Sequence, residues 1–179
     1  RSCPGTILAD LITGFTAATG CLPPRRRAQH GGAARVDTSI MEAVSTLTVD
    51  ALSQHFETGV EPTRETRHPQ AQNFCLDTAS GENIAVHLSS SEKFWGNLCD
   101  AIERPDLKDD PRFTVFRQRE ANYFELVPIV AAEFTRRTAR EWEERLTAFD
   151  VPFAPVLTME TFQTHPQTQW LELLEPAPD

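Results

Sequence analysis

One carboxylate in this chain stands in a setting suited to chemistry. In the stretch "TILADLITGFTAATG", Asp10 is the only charged residue in a run of apolar and small residues. Leu8, Leu11, Ile12, Phe15, Ala18 and Leu22 recur at helical spacing and form one apolar stripe. At ~100° per residue, Asp10 falls on the opposite side with Thr13, Gly14, Ala17 and Cys21. No Lys or Arg on that helix can pair with it. A carboxylate on a face of small residues has room beside it for an acyl group, which suits a nucleophile or a base. On the residues alone a plainer role stays open: a first-turn acid that complements the helix dipole, or an exposed surface acid.

Other groups offer less. Asp109-Asp110 precedes a proline and reads as a solvated turn without partners for a metal. His87 falls in an expected strand and His165 before a proline, and neither has a Ser, Cys or second His at catalytic spacing. The five histidines lie far apart, so no zinc-type pair is expected and no metal site is predicted. There is no G-x-G-x-x-G and no phosphate-binding loop of the Walker type. Cys3, Cys21, Cys75 and Cys99 are scattered, a pattern of free thiols in a reducing, cytoplasmic setting.

The 179 residues suit one ordinary domain or two small ones. A net charge of -9 argues against nucleic acid or an anionic membrane as partner. The single basic cluster, "PRRRAQH", reads as a solvated loop. No apolar run approaches the ~20 residues of a membrane span, and no signal peptide is expected. A first residue other than Met suggests a piece of a longer protein.

The elements that would position Asp10 follow from local signals. Pro23-Pro24 is expected to end the first helix. "GGAARVDTS" reads as a glycine turn and a short extended piece. A capping box at Ser39–Glu42 then starts a helix running to about Phe56. "ETGVEPTRETRHPQAQ" reads as a linker, with a domain boundary in it. Asn73–Leu76 and Asn83–Leu88 are expected strands joined by "DTASGE". Ser89–Ser91 would cap a helix whose Phe94, Trp95, Leu98, Cys99 and Ile102 share a face, and "RPDLKDDPRF" is expected as loop. One helix is predicted from about Arg119 to Arg136, kinked at Pro128. A second capping box, Thr138–Glu141, leads into Trp142, Leu146 and Phe149. "VPFAPV" is extended, and Thr158 to about Leu174 is helical with a break at Pro166. The class is α/β or α+β.

The order of these pieces resembles the class III CoA-transferases, the CaiB/BaiF family. "LADLITGFTAATG" looks like the family's Asp-bearing helix, and "GGAARVDTSIMEAV" is similar to the segment after it. "FWGNLCDAIERPDLKDDPRF", then "EWEERL", then "VPFAPVLTMETFQTHPQ" match the second domain in order. The resemblance implies an α/β fold. Residues 1–60 would belong to a Rossmann-like large domain, 61–72 to a linker, 73–157 to a small α/β domain, and 158–179 to the return towards the large domain. It implies an interlocked homodimer. It also implies that Asp10 is the covalent nucleophile and that the substrates are a coenzyme A thioester and a carboxylic acid. Gly14, His68 and Gln70 would stand beside the substrate. Oxalate-specific members carry a glycine-rich loop where this chain has "TRHPQAQ", so the acceptor acid is left open. Two alternatives remain: an α-methylacyl-CoA racemase, whose Asp works with a His from an upstream segment, and a truncated, inactive paralogue serving as a dimerisation or interaction module.

Overall fold

A computed structural model describes residues 7–28, 35–63, 65–89 and 91–175, with the side chains of 23–28 outside the description. The glycine turn of "GGAA", most of the "PRRRAQH" cluster, Cys3 and Ser90 lie outside the described residues or side chains. The chain divides into two compact units, Arg1–Thr63 and Arg64–Asp179.

The first unit is helical where described. Helix α1 spans Leu8–Ala28, α2 Ile40–Ser45 and α3 Val49–Thr58. The expected stop at Pro23-Pro24 is overturned, because α1 continues through both prolines. Proline's fixed φ is itself helical, so the helix can run on, at the cost of the bonds to the carbonyls four residues back and of crowding between each ring and those carbonyls. The expected single helix to Phe56 is also interrupted, by a 3₁₀ turn at Thr46–Thr48. There the Ser45, Thr46 and Thr48 hydroxyls donate to the carbonyls of Glu42, Ala43 and Ser45 at 2.7, 2.6 and 3.1 Å. Such side chains offer carbonyls another partner and disturb the ladder. The capping box at Ser39 forms, with the Glu42 carboxylate 2.8 Å from the Ser39 N–H. Gly59 closes α3 at φ 69°, a left-handed position suited to glycine.

The second unit holds the core. It comprises α4 (Arg67–Ala71), β1 (Asn73–Asp77), β2 (Asn83–His87), α5 (Glu92–Ala101), α6 (Phe116–Ala121), α7 (Tyr123–Phe134), α8 (Ala139–Ala148), β3 (Phe153–Val156), α9 (Met159–Thr164) and α10 (Pro166–Trp170). The strands form an antiparallel sheet in the order β1-β2-β3. Phe74, Leu76, Ile84 and Val86 point to the buried face, as alternation requires, and pack with Trp95, Leu98, Leu126, Phe134, Trp142 and Leu146. Phe134 and Trp142 stack at 4.3 Å, and the Trp142 indole donates to the Phe134 carbonyl at 2.8 Å.

Two expectations in this unit are corrected. "RPDLKDDPRF" contains a 3₁₀ turn at Pro105–Lys108. The predicted helix from Arg119 to Arg136 is two helices broken at Asn122, whose amide donates to the carbonyls of Arg112 and Gln118 at 3.1 and 3.0 Å. Pro128 sits inside α7 without ending it. The break at Pro166 is present, and His165 caps α10 by accepting from the Gln167 N–H at 3.2 Å.

Candidate functional site

Asp10 lies in the first turn of α1 and is exposed. Among the described residues it has no hydrogen bond or ion pair. The next hydroxyls along the helix turn back on their own backbone. Thr13 donates to the Ala9 carbonyl at 2.7 Å and Thr16 to that of Ile12 at 2.8 Å. One turn along, Gly14 is exposed, and among the described residues a Cβ there would meet nothing within 4 Å. Gly20 differs: a Cβ would stand 2.8 Å from Val36 Cγ1, so this glycine lets the extended 35–39 segment close on α1. Asp10 and Gly14 thus share an open stretch of one helix. The apolar stripe of α1 is exposed within its unit, with Leu11 at 53% and Phe15 at 73%.

His68 and Gln70 lie together on the short helix α4 in the second unit. Gln70 is exposed and accepts from the Arg67 guanidinium at 3.4 Å. His68 is half-buried and lines a hollow on the outer face of the sheet.

What holds α4 in place was not foreseen from the sequence. Gln72 follows it, wholly buried and left-handed at φ 49°. A residue with a Cβ pays roughly 1 kcal/mol for that conformation. Its side chain offsets the strain, since Nε2 donates to the Pro69 carbonyl at 2.8 Å and Oε1 accepts from Arg119 Nε at 3.3 Å. The Gln72 carbonyl accepts from the Leu88 N–H at 3.2 Å, tying α4 to the end of β2. Arg119, 1% exposed, also donates to the Phe113 carbonyl at 2.9 Å and to Glu92 at 3.0 Å, and lies over the Trp95 ring. No local signal marks it, because it sits in "RQRE" beside an ordinary surface arginine.

The perturbed titrating groups belong to scaffolding. Burial pushes the Cys99 thiol and the Tyr123 phenol each up to about 12. Hydrogen bonds from Arg137, Arg104 and Arg112 hold Glu103, Asp106 and Asp110 below the usual carboxylate range. The Thr138 backbone N–H does the same for Glu141. Among the described residues, no group of three or more His, Cys, Asp or Glu is placed to hold a metal, and no helix is long and apolar enough to cross a membrane.

Comparison with known proteins supplies what the geometry leaves open. The CoA-transferase family III pattern matches residues 2–179. The chain is 29% identical over 168 residues to the acetyl-CoA:oxalate CoA-transferase of Acetobacter aceti, covering 92% of this chain and 42% of that protein. It is 28% identical over 92 residues to a formyl-CoA:oxalate CoA-transferase of Escherichia coli O157:H7, covering 51% of this chain and 22% of the relative. The chain therefore spans less than half the length of these curated relatives. Among solved structures it is similar to Rv3272 from Mycobacterium tuberculosis, with a TM-score of 0.77 and 26% identity over 95% of this chain and 44% of that one. A CAIB/BAIF family protein from Brucella suis shares the fold, with a TM-score of 0.75 and 20% identity over 94% of this chain and 45% of the other. With a match from residue 2 to residue 179 and the same fold in solved relatives, this chain belongs to CoA-transferase family III.

Proposed function

We propose that the protein carrying this sequence moves CoA from an acyl-CoA to a carboxylic acid, with Asp10 as the covalent nucleophile. The observation that carries this reading is the family match over residues 2–179, in which Asp10 is an exposed carboxylate beside the open Gly14. Two relatives named as CoA-transferases favour transfer over racemisation.

The steps balance as acyl exchanges. An Asp10 carboxylate oxygen attacks the thioester carbonyl, the C–S bond breaks, and the CoA thiolate leaves an aspartyl anhydride behind. The thiolate then attacks the Asp10 carbonyl, and the donor acid departs as a carboxylate. An aspartyl-CoA thioester remains. The acceptor carboxylate attacks it to give a second anhydride and free thiolate. Attack of that thiolate on the acceptor's carbonyl yields the new acyl-CoA and restores Asp10. Dividing one difficult exchange into four acyl transfers is the gain from covalent catalysis. The open Gly14 leaves room for the acyl group, and His68 and Gln70 are assigned to the substrate's surroundings. Within this reading, residues 1–60 belong to the large domain, 73–157 form the small domain, and a cytoplasmic homodimer is the working assembly.

The test uses the longest natural chain containing this sequence. Asp10→Asn is nearly isosteric and exposed, so the fold persists while transfer falls by several orders of magnitude. Hydroxylamine modifies Asp10 in the wild-type protein only when acyl-CoA is present. An Asp10→Asn protein that retains full transfer overturns the reading.

A further inference from the structure

The last two helices of the second unit begin on chemically different caps. Thr158 caps α9 through its hydroxyl, which accepts from the Thr161 N–H at 3.1 Å. A hydroxyl accepts equally well on either side of neutrality. His165 caps α10 through its ring, with Nδ1 accepting from the Gln167 N–H at 3.2 Å. A ring nitrogen accepts only while it carries no proton, so the capping imidazole is neutral, with its hydrogen on Nε2. Imidazole is also the side chain that changes charge between pH 5 and pH 8. Protonation acts on this cap twice. The Nδ1 lone pair that receives the Gln167 N–H takes up the proton instead, and the resulting cation stands at the positive end of the helix dipole.

The helix depends on that cap. α10 is five residues long, and helices so short are held by caps and packing rather than by propagation. Pro166 opens it without an N–H, which makes Gln167 the first donor in need of a partner. Thr168 is its one buried residue, while Trp170 is 77% exposed. Its further ties are a bond from Gln169 Nε2 to the Gln163 carbonyl at 2.6 Å, and those from the Leu171 and Leu173 N–H groups to the carbonyls of Gln167 and Thr168. α9 packs against α10 and brings one charged group, Glu160, while Glu172 and Glu175 follow α10. Among the described residues none of the three forms an ion pair with His165. Protonation therefore removes the cap and gains no salt bridge in exchange.

We propose that His165 is a proton-operated cap: the neutral ring holds α10 and the imidazolium releases it. Release frees the segment that carries Trp170, Leu171, Leu173 and Leu174, all of them exposed. The spacing of these four apolar side chains then changes in mildly acidic solution, so the surface that this end of the second unit presents depends on pH. The device goes beyond the transfer reading and stands or falls without it.

NMR of the 179-residue chain tests it. Cα shifts of Gln167–Trp170 report the helicity of α10, those of α9 serve as internal control, and ring nitrogen shifts report the state of His165. From pH 8 to pH 5 the ratio of helical to unwound α10 falls about fivefold, the scale of one lost cap. The fall runs in step with the His165 ring, and α9 holds. His165→Asn supplies a capping acceptor that does not titrate, so α10 stays helical at both ends of the range. His165→Ala leaves α10 unwound at both. His55, His68 and His87 are retained in every variant, so the comparison isolates His165. Should His165→Asn fail to fold, His165→Ser serves in its place. Constant α10 shifts while the His165 ring titrates overturn the proposal. So does a loss of α10 in acid that persists undiminished in His165→Asn.

Discussion

Replacing Arg119 by Met removes a buried cation while keeping most of its volume. In the native structure its guanidinium meets Gln72, Phe113 and Glu92 and covers the Trp95 ring. The variant leaves Gln72 Oε1 without Arg119 and the Phe113 carbonyl without its buried donor, each costing roughly 1–2 kcal/mol. The Glu92 carboxylate has a side-chain exposure of 57% and returns to water, so its loss adds little. The sum is about 3 kcal/mol, on the order of 10 °C in the melting temperature of a unit this size. All three tryptophans lie in the second unit, so indole fluorescence reports its unfolding directly. Arg119→Lys keeps the charge but loses the planar fork, and falls between wild type and Met. As control, Arg140→Met breaks an exposed pair with Glu144 and shifts the melt by less than about 0.5 kcal/mol. A Met variant melting within a degree or two of wild type would refute the claim that Arg119 and Gln72 pin α4.

The second unit loses stability in acid. Glu103, Asp106, Asp110 and Glu141 all titrate below their ordinary values in the fold. The contribution is therefore complete above the unfolded-state carboxylate range and lost as pH falls through the depressed values. Melting temperature recorded from pH 7 to pH 3 should fall only below about pH 4.5, and a flat profile there contradicts the assignment. Amide exchange should reach residues 7–56 well before α5 and α8, because Ala43 is the only buried hydrophobic residue described in the first unit, whereas Trp95, Leu98, Trp142 and Leu146 anchor the second. Equal protection in both would count against that contrast.

Much of the local architecture was legible because its causes are local. The capping boxes at Ser39 and Thr138 satisfy helix N–H groups with side chains three residues apart. The alternation of Ile84, Val86 and Leu88 assigns a buried face whatever the partner strands are. The shared face of Trp95, Leu98, Cys99 and Ile102 is buried for the same reason of spacing. The order of motifs also carried the family. Signals that compete within a few residues misled. Pro23-Pro24 reads locally as a stop, although α1 runs through both prolines. Pro128 is the stronger local signal, yet the break falls at Asn122, whose side-chain amide donates to the Gln118 and Arg112 carbonyls.

What the sequence determined by itself was therefore the capped helix starts, the alternating strands with their buried faces, and the single carboxylate on the small face of α1. Only the tertiary structure decided that Arg119 is buried rather than solvated, and that Gln72 takes a left-handed conformation to receive it. It alone brought Asn73, Cys75, Ala85, His87 and Ala154 into one surface. The reason is physical. Capping and alternation depend on neighbours three or two residues away, whereas a buried ion depends on residues 47 positions apart, as Gln72 and Arg119 are, meeting in space.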